Sequence, residues 1–215
     1  MKTTYNEDRV LDRIFQIIST HEGSRANETT KKRTFVNFVD YAAYDSRRNP
    51  LLNMITNRQF VSAISCEGVQ KLHTPNISQL RNIIQHHLLY DHVDIMHISH
   101  GYNDFWYLKT FFETCDVKPN IVVIRYNRYI PNEKAITVPF SKHSRNINNY
   151  HTCSLLAISK ILHSYRYIGD SASVLSYWIR KELPNAERFT TTLPVNVVDR
   201  KQWDIMKGAF WVNVQ

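Results

Sequence analysis

Histidines crowd one stretch of this chain: His86, His87, His92, His97 and His100 all fall within residues 86–100. Imidazole titrates near neutrality and ligates metals readily, so such a cluster could move protons or hold an ion. The metal reading needs partners, and no carboxylate pair or cysteine stands near them at ligand spacing, so no metal site is expected. The most informative member is His97. It sits in VDIMHISHGYNDFW (93–106), which reads as a buried strand, a glycine turn and a helix start. The carboxyl end of such a strand is where an α/β enzyme places its chemistry. His97 and Ser99 occupy that end, and Asp104 opens the helix. His97 as a base and Asp104 as the neighbouring acid are the catalytic candidates. The plainer alternative is a strand-end histidine in a histidine-rich chain.

A second stretch could grip anions. Residues 125–151 interleave Arg125, Arg128, Lys134, Lys142 and Arg145 with Tyr126, Tyr129, Phe140 and Tyr150. Cations bind phosphate and aromatic rings stack on bases, so this composition suits nucleic acid. A solvated loop beside a core strand has the same look. KKR (31–33) and RR (47–48) add positive charge.

The elements that must position these residues follow from periodicity. Val10, Leu11, Ile14, Phe15 and Ile18 have helical spacing, as do Ile77, Leu80, Ile83, Ile84 and Leu88. NDFWYLKTFFETC predicts a helix capped by Asn103 or Asp104, with Phe105, Trp106, Phe111 and Phe112 in the core. A further helix is expected over 153–164. TFVNFV (34–39), QFVSAIS (59–65), VDIMHIS (93–99) and YRYIG read as strands, and ITVPF (136–140) as a short extended piece. KPNIVVIRYN (118–127) is apolar on both faces, which marks a central strand. VLSYWIRKEL (174–183) fits a strand or a helix end. Trp203 and Trp211 in the tail could cover a sheet edge or dock on a partner. Strands alternating with helices predict an α/β fold with a mostly parallel central sheet flanked by helices. We expect one domain over 1–215, with a polar loop at 20–33 and a C-terminal extension at 184–215.

Composition narrows the class. Hydrophobic residues make up 43% of the chain, enough for a core, while glycine occurs only 5 times. The formal net charge of +8 favours anionic partners, RNA or an acidic protein surface among them. Cys66, Cys115 and Cys153 are odd in number and unpaired by spacing, consistent with thiols in a reducing compartment. No apolar run is long enough to span a membrane. MKTTYNEDRV lacks the apolar core of a signal peptide, so an intracellular place, cytoplasmic or nuclear, is expected.

MHISHGYNDFW (96–106) and IVVIRYNRYIPNEKAITVPF (121–140) resemble two central motifs of class I, Rossmann-like methyltransferases. The likeness is to the FkbM-type relatives, whose motifs run approximately SIDIDGNDYW and VVVIEYN…P…VTVPY. HTCSLLAISKILHSYRYIGDSASVLSYWIRKEL (151–183), YNEDRVLDRIFQII and TFVNF are similar to further parts of that pattern. The resemblance implies a Rossmann-like methyltransferase fold and a pocket for S-adenosylmethionine. It also implies a ribose-binding acid, for which Glu67 is the candidate, and a donor loop near Asp40 or Asp45.

The departures from the family point one way. Its donor loop has glycines, whereas no glycine lies between Gly23 and Gly68 here, and Asn37 replaces an acid. The family's strand-end acids become His97 and Ser99, and the acid of IEYN becomes Arg125. Asp104, Asn127 and Pro131 are kept. A guanidinium in place of a carboxylate reverses the local field and can serve neither as base nor as cation ligand. The expectation is therefore a methyltransferase-like domain without catalysis, acting as a binding module for an anionic partner. The alternative is an active S-adenosylmethionine-dependent methyltransferase with a remodelled pocket.

Overall fold

The computed structural model describes Val10, Leu11, Arg13, Ile14, Gln16 and Ile17, and the backbone of 33–39 and 60–65. It further describes 93–99, 102–140, 152–170, 175–189 and 211–215. Residues 10–17 are helical where described. The strands are β1 (Arg33–Val39), β2 (Phe60–Ser65), β3 (Ile95–Ser99), β4 (Ile121–Arg125), β5 (Ile136–Thr137), β6 (Tyr165–Asp170), β7 (Leu175–Arg180) and β8 (Val212–Asn213). Beside the helical residues of 10–17, the described helices are α1 (Asp104–Thr114), α2 (Leu155–Ile161) and a short 3-10 turn at Ala186–Arg188. The helix expected at 76–89 lies outside the described residues.

Six strands form one mixed sheet in the order β2-β1-β3-β4-β7-β6. The β1–β2, β1–β3 and β3–β4 pairs are parallel. The β4–β7 and β6–β7 pairs are antiparallel, so β7 runs against the other five strands. The sheet expected to be mostly parallel is mixed, and chain length explains the antiparallel β6–β7 pair. Only residues 171–174 join β6 to β7. Antiparallel neighbours accept so short a link, whereas parallel ones need a crossover of a dozen residues or more. The segment read as a strand or a helix end is thus a strand.

Alternation along each strand divides the core between the two faces of the sheet. Met96, Ile98, Val122, Ile124 and Trp178 pack against Phe105, Leu108 and Phe111 of α1 and Leu155 and Ile158 of α2. Ile95, Ile121, Val123, Leu175, Tyr177 and Ile179 form the other face with Leu11, Ile14 and Ala186. The first four residues of β4 are fully buried, which agrees with its position between β3 and β7. A buried relay locks β4 to β7. The Trp178 indole N–H donates to Ser176 Oγ at 2.9 Å, and Ser176 Oγ donates to the Ile124 carbonyl at 2.9 Å.

The tail makes a separate two-stranded sheet by pairing β8 with β5. Lys160 Nζ donates to the Val214 carbonyl at 2.7 Å and holds it against α2. Trp211 therefore belongs to a segment docked on the β5 region, while Trp203 lies outside the described residues. No helix among the described residues is long and apolar enough to cross a membrane.

Candidate functional site at the carboxyl ends of the parallel strands

β1, β3 and β4 run parallel and end at one edge, at Val39, Ser99 and Arg125. His97 lies in register with Asn37 on one side and Val123 on the other. By alternation its side chain shares the face of Ile95, Ile121 and Val123, and it is only 1% exposed. Arg125 lies two residues beyond Val123 on the same face and is half-buried. Burial first, and then the Arg125 charge, push the His97 imidazole down to about 3 from its ordinary 6.5. The ring is therefore neutral at pH 7. A group with so acidic a conjugate acid is a weak base near neutrality.

Asp104 is the first residue of α1 and fully buried, where the positive end of the helix favours its charge. Asn103 caps the helix through its backbone: its carbonyl accepts from Trp106 N at 2.9 Å and Tyr107 N at 3.1 Å. The expected side-chain cap is not formed. Asp104 lies close enough to Cys153 to act on it. Burial and then this carboxylate push the Cys153 thiol well up. Cys153 and Cys115 are both free thiols, and Cys66 lies outside the described residues. His97 faces the Ile95 and Val123 side, whereas Asp104 sits with Cys153 on the α1 side.

The loop after β4 is pinned at several points. Asn127 N donates to the Cys153 carbonyl at 2.8 Å, and Tyr129 N donates to Asn127 Oδ1 at 2.9 Å. Ile130 N reaches the Asn127 carbonyl at 3.2 Å, and Lys134 N reaches that of Pro131 at 3.0 Å. Ile130 and Pro131 are buried, leaving Arg128, Glu133 and Lys134 exposed. Tyr126 is buried, so it is no stacking platform; its hydroxyl bonds Asp170 Oδ2 and ties the end of β4 to that of β6. Burial and this bond push the Tyr126 phenol up.

Of the residues singled out in the sequence, His97, Asp104, Arg125, Arg128 and Lys134 are placed near this edge of the sheet. Asp40, Asp45, Glu67, Lys142 and Arg145 lie outside the described residues, as do His86, His87, His92 and His100. No group of three His, Cys, Asp or Glu side chains able to hold a metal occurs among the described residues. Sequence reading missed the Tyr126–Asp170 tie and the electrostatic influence of Asp104 on Cys153. Their partners lie dozens of positions apart, and no local pattern announces them.

Comparison with protein-family models, curated proteins and solved structures returned no match, so the geometry of this strand edge alone carries the reading of function.

Proposed function

We propose that this chain is a Rossmann-like, methyltransferase-like domain without catalysis that serves as a binding module for an anionic partner. One observation carries the reading. At the ends of β3 and β4, where the resembled family has carboxylates, stand a buried neutral imidazole and a guanidinium. S-adenosylmethionine is itself a sulfonium cation, and a neighbouring guanidinium repels it. Among the described residues of this edge, the guanidinium and the neutral imidazole replace the acidic field that the resembled family offers this cofactor. Helices on both faces of a sheet with parallel β1, β3 and β4 support the Rossmann-like part of the reading. The net charge of +8, with Arg128 and Lys134 exposed on a pinned loop, supports an anionic partner, RNA or an acidic protein surface. Arg125, Lys142 and Arg145 extend that basic set in the sequence.

Calorimetric titration with S-adenosylmethionine and S-adenosylhomocysteine tests this. We expect no heat of binding from protein shown to be folded. Micromolar binding would sink the reading and favour an active S-adenosylmethionine-dependent methyltransferase. The retained, buried Asp104 speaks for that alternative, with Glu67 for the ribose, Asp40 or Asp45 at the donor loop and His97 near the acceptor.

A further inference from the structure

The opposite end of the sheet carries a charged surface of its own. β4 begins at Ile121 and β6 at Tyr165, while the reversed β7 ends at Arg180. Segments 115–120, 162–164 and 181–184 therefore meet there. Backbone bonds stitch them together: Arg180 N donates to the Asn120 carbonyl and Lys181 N to that of Ser164, each at 3.0 Å. Two cationic side chains repeat the stitch. The Arg180 guanidinium donates to the Lys118 carbonyl at 3.2 Å, and Lys181 Nζ donates to the His163 carbonyl at 2.7 Å. Lys118, Arg180, Lys181 and His163 thus form one patch from three segments. Lys118, Lys181 and His163 are exposed, and the Arg180 side chain retains 25% exposure.

Three acids stand nearby, one of them the half-buried Asp94, whose Oδ1 accepts from Asn120 Nδ2 at 3.3 Å. Glu182 lies 3.9 Å from Arg180 Nε, and Asp116 is exposed two positions before Lys118. Among the described residues neither Lys118 nor Lys181 forms an ion pair. Lys181 spends one of its ammonium donors on a carbonyl and keeps the others for a ligand. That anchor also holds the charge in place, so less side-chain freedom is lost on binding.

We propose that this patch docks the phosphate backbone of single-stranded RNA. The choice of partner rests on what the described residues of the patch lack. Of the apolar residues described at this end, Val117, Leu183 and Phe189 are packed against the two cores, and Pro184 is a single exposed ring. A protein interface is built around a buried apolar centre, and a membrane-surface site inserts apolar side chains. A cationic patch without such an anchor suits phosphates, whose binding is driven by counterion release. The inference stands apart from the reading of the carboxyl edge and does not depend on whether that edge binds a cofactor.

The test is fluorescence anisotropy of the full chain with labelled oligouridine over a range of salt. Lys118→Glu/Lys181→Glu should weaken binding by about tenfold or more and reduce the salt slope by about 1.4, two lost phosphate contacts. Lys118→Ala/Lys181→Ala should act in the same direction by a smaller factor, with an unchanged melting profile. Arg128→Glu/Lys134→Glu reports on the carboxyl-edge basic set, and Arg13→Glu, an exposed charge outside both sets, should stay within about twofold of the parent. Loss confined to the Arg128/Lys134 variant would overturn the assignment while leaving the carboxyl-edge basic set as the anion site. Absence of RNA binding by the parent chain at low salt would also overturn it. So would equal affinity for polyglutamate, or binding to phosphatidylserine vesicles in its place.

Discussion

His97 is a polar ring in an apolar strand, and its titration reaches the stability of the whole chain. An ordinary imidazole takes its proton near 6.5, and this one near 3, so the unfolded chain protonates first. Its contribution is complete above the ordinary value and is lost as pH falls from about 6.5 towards about 3, at up to roughly 1.4 kcal/mol per unit. Urea unfolding at about pH 7.5 and about pH 5.5 should differ by on the order of 1 kcal/mol from this group. His97→Gln should flatten that difference. Equal pH dependence in the two proteins would show that His97 is not held neutral by the fold.

At the scale of elements, Ser154 has two tasks. Its hydroxyl oxygen accepts from Ala157 N at 3.1 Å, capping α2, and from Ile136 N at 3.1 Å, fixing the start of β5. Ser154→Ala leaves both buried donors without this acceptor and should cost about 2 kcal/mol in chemical denaturation. A loss below about 0.5 kcal/mol would mean that water or a shifted backbone replaces it. The helix itself was legible: it was expected over 153–164 and forms over Leu155–Ile161. β1 to β3 were legible within a residue or two, and β4 within three, because their apolar runs are bounded by polar breaks. β7 was ambiguous because LSYWIR is buried almost throughout, and a strand buried on both faces loses the alternation that separates it from a helix. β8 was not legible, since two paired residues carry no periodicity. At the site, the identities of His97 and Arg125 could be read, but not their burial on a shared face. That depends on the register of β3 against β4.

At the scale of the molecule, the sheet joins distant parts of the chain. Phe35 pairs with Ile95, and Ile121 with Ile179. Loops must close before such pairs stabilise anything, and long-range pairing of this kind folds slowly. Refolding followed by far-ultraviolet circular dichroism should take on the order of milliseconds to seconds or longer. A full-amplitude phase faster than about a millisecond would contradict this topology. The relay through Ser176 has an optical consequence. Trp178 is 2% exposed, has its indole N–H bonded to a buried hydroxyl, and meets the Tyr167 ring edge-on at 5.3 Å. It is thus a built-in fluorophore at the junction of β4, β6 and β7. Its emission will be blue-shifted while those strands stay paired and will move to the red when they part.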